Sequence, residues 1–211
     1  MPEIMKRVRA VAAHRKASSR AATQMLAATP HLFGEIRQPL GGYILIPRHS
    51  SERRNTIPIG FMPAEVIVGD ANLCVPNAEL YEFGVLTSRM AWVSHVCGRI
   101  KSDYRYTNQI VYNNFPWPAL DKKSSDAPTR KTRIAIEAAA QAVLDTRTTE
   151  VGATLADLYN PPMPEKLLKA HRALDAAVDA AYAVNGGKRN WKSDAERVAY
   201  LFTLYQKLTS I

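Results

Sequence analysis

Apolar and polar positions follow two different rhythms along this chain. Between about 30 and 118 the apolar residues come in short runs, each stopped by Gly, Pro, Asn or Asp: GYILIP (42–47), NTIPIGF (55–61), EVIVGD (65–70) and NLCVP (72–76). Short runs with that punctuation predict strands. LYEFGVLTS (80–88) reads as a further strand, and SRMAWVSHVCG (88–98) as a short helix with Ser88 as N-cap and Gly98 as its stop. RIKSDYRY (99–106) and NQIVYNNF (108–115) are two more strand candidates.

The rhythm changes after LDKKSSDAPTR (119–129), a polar stretch with Ser-Ser and a proline that reads as a linker. From 130 onward the pattern is helical. RKTRIAIEAAAQAVLDTR (130–147) is Ala-rich with an apolar face. In 164–184 the spacing puts Leu167, Leu174, Val178, Ala181 and Tyr182 on one stripe, Pro164 suits the first turn, and Asn185-Gly186-Gly187 ends the helix. Ser193 and Glu196 form a capping box for a last helix over roughly 194–208, with Val198, Leu201, Phe202 and Tyr205 as its core face. These helices predict a small bundle. The first segment, about 5–28, is helical by composition and carries Arg7, Arg9, Arg15, Lys16 and Arg20. The fold class that follows is α+β. A basic helical connector spans 1–29, a β-rich domain 30–118, a linker 119–129 and a helical domain 130–211.

Charge sharpens this division. The chain carries a formal net charge of +9, and residues 1–60 hold ten Lys/Arg against three Asp/Glu, so +7 falls in that segment. A surplus so concentrated attracts polyanions, nucleic acid first. An anionic membrane surface is the lesser partner, because the segment lacks an apolar face anchored by Trp or Phe. The basic helix fits a phosphate clamp; taken alone it reads first as a solvated charged face. No apolar run approaches a bilayer span, and the N-terminus lacks the apolar stretch of a signal peptide. Being rich in Arg and Ala, it leaves a transit peptide as a lesser alternative. The expected location is cytoplasmic. Cys74 and Cys97 have no metal-ligand spacing and read as two buried, reduced thiols. The five histidines are scattered, so no metal is expected.

Catalytic motifs are missing. A methyltransferase needs a glycine-rich turn after its first strand to hold S-adenosylmethionine, and Gly41-Gly42 and Gly186-Gly187 read as plain turns. There is no phosphate-binding loop and no nucleophile elbow. Asn160-Pro161-Pro162-Met163 approaches the catalytic motif of amino-methyltransferases, in which an aromatic ring after Asn-Pro-Pro stacks on the flipped base. Met163 cannot stack so, and the match lies between helices, so it reads as a helix breaker and N-terminal cap.

The most informative stretch is KSDYRY (101–106). In a strand, side chains alternate, so Lys101, Asp103 and Arg105 would share one face. Lys and Arg donate to guanine O6 and N7, and Asp accepts from cytosine N4, so such a face could read base edges. A solvated face with local ion pairing fits the pattern equally well.

A family resemblance bears on this choice. Phe33-Gly34-Glu35-Ile36-Arg37-Gln38-Pro39, Ala71-Asn72-Leu73, Pro76-Asn77, Leu80-Tyr81, Phe83-Gly84, Cys97-Gly98-Arg99, Ser102 through Tyr106 and above all Ile110-Val111-Tyr112-Asn113-Asn114-Phe115-Pro116-Trp117-Pro118 together resemble the target-recognition domain of MmeI-like DNA methyltransferases. These are large single-chain restriction–modification enzymes. Leu155 through Pro164 and the following helix resemble the family's C-terminal helical domain. The resemblance implies a bacterial, sequence-specific reader of double-stranded DNA. The adenine-specific methyltransferase domain, its S-adenosylmethionine and any endonuclease would lie upstream, and no cofactor is expected in this chain. The chain would then be an excised C-terminal piece or a truncated reading frame, with the methyltransferase domain as its intramolecular partner.

The resemblance also implies that Lys101 and Asp103 choose one base pair together, and that Arg105 acts at another with help from Gly69–Asp70. Lys101 with Asp103 would suit a G·C pair. Arg48, Arg53 and Arg54, in the polar loop RHSSERRN, are expected phosphate contacts, with Arg99 and Lys16 as weaker candidates; plain surface charge is the alternative for each. Two further function classes stand beside this one. One is a complete methyltransferase of unfamiliar type. The other is a protein-interaction module docking on an acidic partner.

Overall fold

The computed structural model describes residues 1–98, 104–105, 107–120, 126–184 and 186–210. Its contacts divide the chain into two compact units, Met1–Gln38 and Pro39–Ile211.

The first unit is helical. Helix α1 (Pro2–Lys16) is followed by a short α2 (Ala21–Met25) and a 3₁₀ turn at Leu26–Ala28. The single helix expected over 5–28 is thus broken at residues 17–20. The break has a local cause. The Ser18 hydroxyl accepts from Arg20 N (3.2 Å) and the Ser18 carbonyl from Gln24 Nε2 (2.8 Å), alternatives to the helical ladder. The Arg15 guanidinium donates to the carbonyls of Leu26, Thr29 and Leu32, each at 2.9 Å. Arg15 therefore ties the following turn to α1.

The second unit opens with three antiparallel strands, β1 (Tyr43–Pro47), β2 (Gly60–Met62) and β3 (Asn72–Pro76), in the order β2-β1-β3. The central strand pairs Leu45 with Gly60 on one side and with Cys74 on the other. Two of the expected strands shrink or vanish. Only Gly60–Met62 at the end of the NTIPIGF run is strand, and 65–70 forms turns, with Val66 N donating to Pro63 O (3.1 Å) and Asn72 N to Gly69 O (3.0 Å).

The run at 80–88, expected as a strand, is helix α3 (Leu80–Thr87). Glu79 and Glu82 form a capping box at its start, and every residue from Phe83 to Thr87 is buried. A run apolar on all sides has no period to separate helix from strand. Gly84 makes this helix fit: a Cβ there would lie 2.7 Å from Ile136 Cγ2 and 3.2 Å from Ala140 Cβ. Helix α4 (Arg89–Cys97) is as expected, with the Ser88 hydroxyl accepting from Ala91 N at 3.3 Å and Gly98 as its C-cap.

The run at 108–115 is also not a strand. Asn108–Tyr112 forms one π-helical turn, closed by Thr107 Oγ1 accepting from Ile110 N (3.3 Å) and by Asn114 Nδ2 donating to Gln109 O (2.7 Å). Side-chain to backbone bonds from Thr and Asn outcompete the ladder there. The Phe-Pro-Trp-Pro segment that follows is anchored from the helices: the Tyr182 hydroxyl donates to Pro116 O at 2.9 Å and the Tyr81 hydroxyl to Pro118 O at 3.1 Å.

Four helices complete the unit: α5 (Ala127–Thr148), α6 (Leu155–Tyr159), α7 (Glu165–Ala183) and α8 (Asp194–Thr209). Helix α5 begins inside the expected linker, because Asp126 caps it by accepting from Thr129 N at 3.0 Å. The α7 stripe Leu167, Leu174, Val178, Ala181 and Tyr182 is fully buried, as expected. On α8 only Leu201 is buried, while Phe202 is 58% exposed, so the expected core face is narrower. Its cap is also half a box: Ser193 Oγ accepts from Glu196 N, but Glu196 Oε2 accepts from Lys192 N.

One core joins Ile44, Ile46, Ile57 and Ile59 of the sheet region to Phe83, Met90, Ile136, Leu174 and Tyr182 of the helices. Both cysteines are free thiols, but Cys74 is only half-buried and Cys97 is exposed, against the expected burial. Among the described residues no helix is long and apolar enough to cross a membrane.

Candidate nucleic-acid interface

The end of the small sheet gathers several of the expected site residues. Strand β1 runs through Pro47, opposite Asn72, into Arg48, whose amide donates to Ala71 O at 2.9 Å. That pairing sets Arg48 beside the Gly69–Asn72 turn, which holds Gly69 and Asp70. The next residue, His49, pairs with Arg105 in an isolated antiparallel bridge. Arg48, Gly69, Asp70 and Arg105 therefore share one end of the sheet, and all four are exposed. Lys101, Asp103 and Arg99 lie outside the described residues. Lys16 is exposed at the end of α1 in the first unit.

Arg105 follows a constrained residue. Tyr104 has φ +50°, a left-handed backbone that a bulky residue adopts only when its surroundings enforce it. Its ring meets Trp92 of α4 edge-on, with centroids 6.4 Å apart, and the Arg89 guanidinium lies 3.9 Å over the other ring partner, Trp92. Arg89 is fixed in turn. Its Nε and Nη2 donate to the Asp194 carboxylate at 3.0 and 2.5 Å, and its backbone N donates to Asp175 Oδ1 at 2.6 Å. Burial pushes the Asp175 carboxyl up to about 6. Asp179 lies close by and is held by Arg197 at 2.5 Å.

The basic loop after β1 is pinned by side chains from far along the chain. Arg48 and Arg53 are exposed. Arg54 is half-buried, and two of its donors, Nε and Nη2, reach Asn160 Oδ1 at 3.1 and 2.9 Å. Arg89 Nη1 donates to Asn55 O (3.4 Å) and Arg147 Nη1 to Ile59 O (2.8 Å). Arg147 also donates to the Tyr159 hydroxyl, from Nε at 2.9 Å and from Nη2. A hydroxyl that accepts from a guanidinium gives its own proton away, here to His171 Nε2 at 2.7 Å. Burial, with Arg147 nearby, lowers His171 to about 3, so the imidazole stays neutral.

None of Asn160, Arg147, Tyr159, His171 or Arg89 was legible as a site residue. Arg54 and Asn160 are 106 positions apart, and Arg147 and Ile59 are 88. No local pattern carries such pairs. Asn160 stood out only through the Asn-Pro-Pro match, and its side chain holds an arginine.

The glycine pairs do not form a cofactor turn. Gly41-Gly42 precedes β1, and Gly186-Gly187 lies in the turn between α7 and α8. Neither sits between a strand and a helix N-terminus, where the glycine-rich turn of a methyltransferase would lie. Among the described residues no three His, Cys, Asp or Glu side chains gather as metal ligands would.

A short antiparallel sheet with arginines at one end, braced by a helical layer, defines the chain as an α+β module presenting a cationic loop. The chain belongs to the MmeI family: the MmeI target recognition domain matches residues 1–119 and the MmeI C-terminal domain residues 128–211. It is 39% identical over 211 residues to DNA methyltransferase A of Bacillus subtilis (strain 168), covering 99% of this chain and 22% of that protein. Among solved structures it matches the type IIL restriction–modification enzyme MmeI in complex with DNA, with a TM-score of 0.86 and 41% identity over 99% of this chain and 27% of that one. The chain thus spans about a quarter of the length of these relatives.

Proposed function

We propose that this chain is the sequence-reading part of a restriction–modification DNA methyltransferase, and that its ligand is double-stranded DNA. The observation that carries the reading is the match, over 99% of the chain, to an enzyme solved in complex with DNA. The exposed cluster of Arg48, Asp70 and Arg105 at one sheet end supports it chemically, with donors and an acceptor side by side. In this reading Arg105 and Gly69–Asp70 meet base edges, and Lys101 with Asp103 selects a G·C pair. Arg48, Arg53, Arg99 and Lys16 contact phosphates, which positions the protein without carrying sequence information.

Catalysis belongs to the remainder of the parent protein, an adenine-specific, S-adenosylmethionine-dependent methyltransferase domain acting in the bacterial cytoplasm. This chain would present the target to it.

The test is duplex binding by fluorescence anisotropy at low and physiological salt, with a randomised pool carried through selection and sequencing. Binding that weakens steeply with salt and enriches one short motif supports the reading. No duplex binding by this chain or by the complete protein overturns it. Stoichiometric binding of S-adenosylmethionine to this chain alone would overturn the division of labour.

A further inference from the structure

We infer that Asn160 is a positioning residue for the basic loop: it holds the Arg54 guanidinium and so sets where Arg48 and Arg53 meet DNA. The inference rests on the DNA-reading proposal above and assigns a role to the Asn-Pro-Pro segment, which that proposal leaves unused.

Three facts carry it. First, Arg54 commits both Nε and Nη2 to one oxygen, Asn160 Oδ1, at 3.1 and 2.9 Å. The amide orientation follows from this network, since only the oxygen can accept two N–H groups. Second, Asn160 is itself firmly held. It caps α6, with its backbone N donating to Ala156 O at 3.0 Å. The residue before it is Tyr159, 2% exposed and bonded to both Arg147 and His171. The residue after it is a proline, which restricts Asn160 to the extended backbone it shows, φ −73° and ψ 142°. Third, the loop closes on Arg54. Arg54 N donates to Ser51 O at 3.0 Å and Arg53 N to Ser51 Oγ at 3.2 Å, so the turn carrying Arg53 ends at the residue Asn160 grips. Arg89 on Asn55 O and Arg147 on Ile59 O fix the chain just beyond.

The choice of an amide matters. A carboxylate at 160 would hold a guanidinium more tightly, but would cancel its charge beside the arginines that attract DNA. Asn160 is neutral. It fixes the arm and leaves the loop's positive potential intact.

The test is duplex affinity across a salt series for the full chain and its Asn160→Ala, Arg54→Ala and doubly substituted forms, with thermal unfolding measured on each. Asn160→Ala removes no charge. It is nevertheless expected to weaken binding about two- to tenfold, the range one hydrogen bond supports. It should also make the salt slope shallower by about 0.9 for each phosphate contact that Arg48 or Arg53 loses. The double variant should bind no more weakly than Arg54→Ala alone, because the two residues act as one unit. A purely architectural role would lower the melting temperature and leave the slope of the folded protein unchanged, which overturns the inference. So would additive losses, which would make Arg54 an independent phosphate contact. If the unsubstituted chain and the complete protein bind no duplex, the DNA reading fails first and this inference with it.

Discussion

Acid should unfold this protein at a pH set largely by two buried histidines, and one substitution isolates the effect. His95 lies inside α4, fully buried, with Nδ1 against Ala91 O, and burial lowers its pKa from 6.5 to about 4. His171 is lowered from 6.5 to about 3, by burial first and by Arg147 second. Each folded-state value lies below the unfolded one. The unfolded chain therefore binds more protons as pH falls below 6.5, and each histidine withdraws stability from there down to its folded pKa. Asp175 acts in the opposite sense: raised from 3.8 to about 6, it takes its proton earlier in the folded state and restores stability as pH falls over that window.

A pKa unit is worth about 1.4 kcal/mol, so between pH 6 and 4 the two histidines together withdraw roughly 3 kcal/mol per pH unit and Asp175 restores about half of that, with Asp179, also raised by burial, acting in the same sense as Asp175. The net loss between pH 6.5 and 4 is on the order of 4 kcal/mol, a large share of the 5–15 kcal/mol that holds a typical domain together. His171→Gln keeps an acceptor for the Tyr159 hydroxyl but cannot titrate. Its stability should fall much less steeply with acid between pH 6 and 4 than that of the unsubstituted chain, because one of the two histidine contributions is gone. Urea unfolding followed by tryptophan fluorescence at intervals from pH 4 to 8 measures both slopes. Equal slopes would mean that His171 takes up its proton in the folded protein near the ordinary value. The Arg147–Tyr159–His171 chain of hydrogen bonds would then be refuted.

Other consequences are simpler to state. Gly84→Ala should lower stability by about 1–3 kcal/mol despite alanine's better helix propensity, because its Cβ would stand 2.7 Å from Ile136 Cγ2; an unchanged urea midpoint would mean that α3 and α5 are further apart. Arg53→Ala should reduce the salt slope of duplex binding by about 0.9, equally for every sequence, and a sequence-dependent loss would assign it to base reading instead. Lys101→Glu combined with Asp103→Arg should reverse the preferred base pair at one position of the selected motif; recovery of an unchanged motif would remove that pair from base recognition.

The sequence was legible where elements carry their own period or their own stop. The α7 stripe follows the 3.6-residue repeat and is buried residue for residue. β1 and β3 are bounded by Gly, Pro and Asn, and α4 by Ser88 and Gly98. The failures have two causes. The 80–88 run is buried on every side, so its apolar residues show no face, and what makes it helical is a capping box plus a glycine fitted against α5. The 108–112 turn is decided by Thr107 and Asn114, whose side chains bond backbone groups within the turn. Of the candidate site, the basic loop and Arg105 were visible as residues, but their pins were not. Arg54 to Asn160 and Arg147 to Ile59 are contacts that only the packed core creates.

That dependence follows from the size of the sheet. Strands of five, three and five residues are too little to hold a loop in place on their own. A reader of base edges must nevertheless hold its side chains to within about half an ångström of a productive geometry. Here the rigidity comes from the helical layer. Arg89, Arg147 and Asn160 reach the loop from α4, α5 and the end of α6; Arg89 is ion-paired to Asp194, Arg147 is bonded to the buried Tyr159, and Asn160 directly follows that tyrosine. The groups aimed outward, Arg48, Asp70 and Arg105, are exposed and take no part in the core. Substituting them should cost stability within about 0.5 kcal/mol. A fold built this way can exchange these exposed residues without disturbing the ones that hold the loop.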